Sequence, residues 1–162
     1  MDFKSSQWPR RHRPAHHVRL ENNDRSCIVF LTVCTRNRQP LLANVRMHEC
    51  MREAWRTADR WLVGRYVVMP DHVHLFCSPG TIPPSSLRVW VSFWKATSAK
   101  ASGLGRDLWQ QNFWDTQLRR HESYGAKWEY VQQNPVRAGL VDSSDAWPFH
   151  GEMNELSWHD AR

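Results

Sequence analysis

The sequence predicts an α+β fold of the ferredoxin-like, split β-α-β kind: an antiparallel four-stranded sheet with helices on one face, followed by a C-terminal helix. Three observations carry this reading. Apolar periodicity switches between two and about 3.6 residues in the order β-α-β-β-α-β, turn residues punctuate each switch, and 162 residues suit one domain with a sizeable core.

Ile28 to Cys34 is β-branched and aromatic, and the polar stretch from Thr35 to Pro40 closes it as a first strand. Asn44 is placed to cap a helix on which Met47, Met51, Ala54, Trp55, Ala58 and Leu62 recur at three- and four-residue steps. Arg65 to Met69 reads as a second strand, Pro70-Asp71 as a tight turn, and His72 to Cys77 as the hairpin partner. After a Pro/Gly loop from Ser78 to Pro84, Ser86 caps a helix carrying Leu87, Trp90, Val91, Trp94 and Ala101 on one stripe, ended by Gly103 and Gly105. Phe113 to Leu118 supplies a fourth strand. A last helix is expected from about Glu122 to Asn134, stopped by Pro135 because the residue before proline is pushed out of the helical region. The organisation is a basic N-terminal arm over residues 1–25, a catalytic domain over 26–150 and a tail over 151–162.

Lys and Arg total 22 against 16 Asp and Glu, a formal charge of +6, which favours a polyanionic partner. Ten tryptophans are unusual in so short a chain and most read as structural, but aromatic faces on a basic protein also make stacking platforms for unpaired bases; Trp109 and Trp114, near the fourth strand, are the candidates, with core packing the favoured role. Cys27, Cys34, Cys50 and Cys77 show no paired spacing and read as reduced thiols. No apolar run approaches the roughly eighteen residues of a membrane span, and the polar N-terminus lacks the apolar centre of a secretory signal. A soluble, cytoplasmic protein without membrane partners is expected.

The chemistry concentrates in two places. On a strand, His72 and His74 project to the same face while Val73 and Leu75 enter the other, so two imidazoles can converge on one cation. Tyr130 and Asn134 are four apart on the last helix and share a face, with Tyr124, Trp128 and Val131 forming the apolar stripe. A tyrosine hydroxyl beside a cation is a usable nucleophile, and the Asn134 amide oxygen can add a ligand. Cys77 is an odd number of residues from both histidines and should face away, which disfavours a zinc site built on it.

Together, Tyr66-Val67-Val68-Met69-Pro70-Asp71-His72-Val73-His74-Leu75, Trp109-Gln110, Leu118-Arg119 and the run from Tyr130 to Val141 resemble the single-tyrosine HUH transposases of bacteria. Within that group the likeness is to the REP-associated tyrosine transposases, from about Ile28 to about Phe149. The resemblance implies a metal-dependent single-stranded DNA endonuclease and strand transferase acting at hairpin-forming repeats. His72 and His74 would bind Mg²⁺ or Mn²⁺, Asn134 would complete the shell, and Tyr130 would attack the scissile phosphate to give a 5′-phosphotyrosine link. The expected partners are single-stranded DNA hairpins of REP-like palindromic type, bound by a monomer or homodimer associated with the bacterial nucleoid. Arg36, Arg38, Arg119, Arg120 and Arg137 are candidate backbone contacts, together with the N-terminal arm. Asp71 stands where many members have Asn, off the expected metal face but able to act on the ion indirectly. The competing reading is a repeat-hairpin DNA-binding or regulatory protein that has lost mobilisation.

Overall fold

The computed structural model describes residues 27–119 and 121–158; the expected arm over residues 1–25 and Arg120 lie outside them. Strands β1 (Val29–Cys34), β2 (Trp61–Val68), β3 (His72–Pro79) and β4 (Trp114–Gln117) alternate with helices α1 (Val45–Thr57) and α2 (Leu87–Ser102) as expected. Helix α3 (Tyr124–Gln132), the one-turn α4 (Asn134–Arg137) and a short β5 (His150–Glu152) follow. The sheet order is β4-β1-β3-β2-β5, with every neighbouring pair antiparallel. It is therefore five-stranded, one strand more than the sequence predicts. No helix among the described residues is long and apolar enough to cross a membrane.

Alternation sorts the side chains between two layers. Val29, Leu31, Val33, Val73, Leu75 and Cys77 point into the layer covered by α1 and α2. There Trp94 meets Trp55 edge-on at 5.9 Å and Trp109 at 5.4 Å, contacts each worth about 0.5–1.5 kcal/mol beyond the area buried. The Trp90 indole donates to the Ala58 carbonyl at 2.7 Å and the Trp61 indole to the Ser85 carbonyl at 2.9 Å, so both rings are buried with their polar edge satisfied. Asn44 and Ser86 cap α1 and α2 by accepting from the Met47 and Val89 amides, each cap contributing about 1 kcal/mol. On the opposite face Ile28, Val67, Phe76 and Leu118 meet Tyr124 and Val131 of α3.

Two boundaries differ from the sequence reading. Helix α1 ends at Thr57 and β2 begins at Trp61, so Leu62 is a strand residue. A bulge between Val63 and Tyr66 sends both inward and breaks the two-residue alternation, which lets the early part of β2 imitate a continuation of the helix. Helix α3 stops at Gln132, and Pro135 lies in the first turn of α4, where a missing amide hydrogen costs nothing. Asn134 thus opens a second helix rather than closing the first.

Of the region read as a C-terminal tail, residues 151–158 pack onto the sheet. β5 pairs with β2, Arg65 bonds Glu152 at 2.9 Å, Leu156 is buried, and the Trp158 indole donates to the Glu122 carbonyl at 2.8 Å. A Cβ at Gly64 would come within 2.6 Å of Leu156 and 2.7 Å of the Tyr124 hydroxyl, so only glycine admits this packing. Gly64→Ala should therefore destabilise the fold by about 1–3 kcal/mol, read as a lower urea midpoint; an unchanged midpoint would contradict the close approach.

Candidate active site

The site rests on the register of β1 against β3. Thr32 lies opposite His74 and Cys34 opposite His72, so all four side chains share the face away from α1 and α2. His74 is 1% exposed, its ring stacked on Phe30 at 5.3 Å, and the two Nε2 atoms converge to 3.1 Å. Each outer nitrogen has its own partner: Asp71 Oδ1 lies 2.7 Å from His72 Nδ1, and Thr32 Oγ1 lies 2.8 Å from His74 Nδ1.

With both rings neutral, one set of protons satisfies every contact. A carboxylate accepts only, so His72 Nδ1–H donates to Asp71 and the Nε2 lone pair turns inward. The 3.1 Å contact then requires His74 Nε2–H to donate to His72, with the Thr32 hydroxyl donating to His74 Nδ1. A hydroxyl serves equally as donor and acceptor. If His74 moved its proton to Nδ1, Thr32 would accept it, and both Nε2 lone pairs would face one point.

That point suits a cation. Two ligands at right angles about 2.1 Å from one ion lie about 3.0 Å apart, close to the observed 3.1 Å. Imidazoles oriented through their far nitrogens by a carboxylate and a hydroxyl are the usual supports of metal-bound histidine. Among the described residues no group of three or more His, Cys, Asp and Glu is arranged to hold a metal, so no third such side chain joins the two histidines there. Cys77 points into the α1–α2 core, as its spacing from the histidines predicts.

Asp71 is held in turn. Arg38 donates to its Oδ2 at 2.9 Å and to Cys34 Sγ at 2.9 Å, from a turn in which Asn37 and Arg38 both have positive φ, 56° and 54°. Burial alone would raise the Asp71 carboxyl; the His72 hydrogen bond and charge, with Arg38, outweigh it and hold the group below the ordinary range. The sequence places Asp71 off the metal face and able to act on the ion indirectly; its contact with the far nitrogen of His72 is such a route.

The nucleophile candidate stands at the end of α3. Tyr130 is 61% exposed, and the guanidinium of Arg137 lies 4.1 Å over its ring. Because α3 breaks at Gln133, the Tyr130 carbonyl accepts from the Gln133 amide at 3.3 Å and from Arg137 at 2.8 Å. Arg137 also donates to Asn134 Oδ1, which keeps a second lone pair, while Asn134 Nδ2 is buried with no hydrogen-bond partner among the described residues. Arg137 thus ties Tyr130 to Asn134, and its charge is felt at His74.

The other arginines divide. Arg36 pairs with Asp107, Arg38 is engaged with Asp71, and Arg119 is exposed just beyond β4. Sequence reasoning overlooked Thr32 and Phe30; the lone hydroxyl inside the apolar run from Ile28 to Cys34 was the available signal for Thr32.

Burial, reinforced by the charges of His72, Arg38 and Arg137, keeps the His74 pKa well below the usual histidine value. The unfolded chain therefore takes up a proton that the fold refuses, and stability falls as pH drops below about 6.5. In chelator-treated protein the His74 ring nitrogens should show no protonation step near that pH by ¹⁵N NMR. A midpoint at the ordinary histidine value would contradict the buried, neutral assignment.

No protein-family model matches the chain. It is 29% identical over 126 residues to the REP-associated tyrosine transposase of Escherichia coli strain K12, covering 74% of this chain and 73% of that protein. An uncharacterised Haemophilus influenzae protein is 21% identical over 165 residues, covering 77% and 89% of the two chains. Among solved structures, a REP-associated tyrosine transposase bound to a REP hairpin superimposes with a TM-score of 0.65 at 23% identity, over 83% of this chain and 81% of that one. In sequence and in fold, the chain is similar to the REP-associated tyrosine transposases.

Proposed function

We propose that the protein is a metal-dependent single-stranded DNA endonuclease and strand transferase that cleaves at hairpin-forming repeats through a 5′-phosphotyrosine intermediate. The observation that carries this reading is the pair of His72 and His74 Nε2 atoms, 3.1 Å apart, with both outer nitrogens held. The sequence similarity to a REP-associated tyrosine transposase adds to it, and the solved relative's hairpin suggests the DNA form to test.

His72 and His74, with the free lone pair of Asn134 Oδ1, would hold Mg²⁺ or Mn²⁺. When bound, such an ion supplies Lewis-acid polarisation of a phosphate oxygen. The protein's own groups do the rest. Tyr130 Oη gives up its phenolic proton and attacks phosphorus, the Tyr–O–P bond forms as the P–O3′ bond breaks, and the departing oxygen takes up one proton in balance to become a 3′-hydroxyl. Attack by another 3′-hydroxyl on the tyrosyl phosphate reverses the step and rejoins strands with no external energy source. Arg137 holds the end of α3 through the Tyr130 carbonyl and ring, which limits where the nucleophile can stand. Asp71 and Thr32 orient the imidazoles.

Two measurements test the reading. Tyr130→Phe should abolish the covalent adduct with a hairpin oligonucleotide in Mn²⁺ while leaving hairpin affinity nearly intact; an adduct at normal yield would refute the nucleophile assignment, and a band shift without adduct from the unaltered protein would favour the binding-only reading. Thr32→Val should weaken Mn²⁺ binding roughly 10-fold or more, measured by electron paramagnetic resonance, with Thr32→Ser close to the parent. Equal affinity in all three proteins would exclude Thr32 as a support of His74.

A further inference from the structure

The opposite face of the sheet is covered unevenly. Helix α3 packs on Val67 and Phe76 and on the end of the sheet where Ile28 meets Leu118, but Thr32 stays half-buried and Trp114 is 48% exposed. Trp114 pairs with Thr32, and Thr32 with His74, so Trp114, Thr32 and His74 form one row across β4, β1 and β3 and point the same way. At about 4.8 Å per strand, Trp114 stands about 10 Å from His74. The alternation along β4 confirms its direction: Asp115 is buried toward the helices and Trp114 is turned out. Of the two tryptophans singled out near this strand, Trp109 is core, its indole donating to Ser98.

An exposed indole at a strand position whose inward-facing neighbours are buried does nothing for the core. Arg36, Arg38, Lys95 and Arg106 line a cleft of about 810 Å³ beside α2, on the other side of the sheet from the indole, where Arg36 pairs with Asp107 and Arg38 with Asp71. Arg119 is exposed at the far end of β4. The indole therefore offers an exposed aromatic face on the side of the sheet where His72 and His74 converge.

We infer that Trp114 is a stacking platform for one unpaired base of the DNA strand whose phosphate reaches the His72–His74 pair, so that the residue sets where the strand lies. This rests on the proposed nuclease reading and names a positioning contact within it. Base–indole stacking is sequence-tolerant, so Trp114 fixes distance along the strand rather than base identity.

The test uses stem–loop DNA oligonucleotides with unpaired flanks, each flank position replaced in turn by 2-aminopurine, whose fluorescence is quenched on stacking. The unaltered protein should quench one position. Trp114→Ala should remove that quench and weaken binding of flanked oligonucleotides roughly 5- to 100-fold, while leaving the salt dependence and the affinity for flankless stem–loops unchanged, because an indole neutralises no phosphate. Trp114→Phe should retain most of the quench and affinity. Persistence of the quench in Trp114→Ala, or an equal loss on flankless stems, would overturn the platform. The two readings fail separately: a quench that depends on Trp114 without any Tyr130 adduct refutes the nuclease and leaves the platform, whereas a normal adduct indifferent to Trp114 does the reverse.

Discussion

The antiparallel pairing of β1 with β3 is the constraint on which the site depends. Because side chains alternate, a one-residue slip in this ladder would drive His72 and His74 into the α1–α2 core and turn Val73, Leu75 and Cys77 outward. Those three buried residues therefore pin the histidines as firmly as any contact the imidazoles make. The same register delivers Thr32 to His74, and the turn that follows β1 delivers Arg38 to Asp71. Core packing and site geometry share one set of hydrogen bonds.

Outside that ladder the site is organised by two arginines acting inside the molecule. Arg38 reaches Asp71 from a turn with two successive left-handed residues, a conformation that costs roughly 1–2 kcal/mol per non-glycine residue and persists because both its ends are bonded. Arg137 does for the tyrosine side what Arg38 does for the histidine side, bridging α3 to α4 across the break at Gln133. Both were candidate DNA contacts by charge alone; the bonds to Asp71, to Asn134 and to the Tyr130 carbonyl give each a structural occupation.

Local signals explain what could be read from the sequence. The His-Val-His alternation, the Asn44 and Ser86 caps and the Tyr124–Val131 stripe depend on neighbours a few residues away, and each appears in the structure. The missed features depend on distant partners or broken periods. The bulge at Gly64-Arg65 masked the start of β2, and β5 is only three residues long with its pairing partner more than eighty residues earlier. Arg36 and Arg38 find Asp107 and Asp71 only once the chain has folded. Trp109 and Trp114 look alike in sequence, and which one is buried is decided by where α2 and α3 come to rest.

The short β5 has a consequence for the edge of the sheet. β2 is eight residues long and lies next to last in the sheet, and without β5 its outer backbone amides and carbonyls would form an open edge of the kind that recruits strands from other chains. Three residues of β5 and the Arg65–Glu152 bond occupy that edge, while the other edge, β4, is only four residues long. The closing segment therefore acts as a guard against edge-to-edge association, leaving the sheet's exposed chemistry on its face.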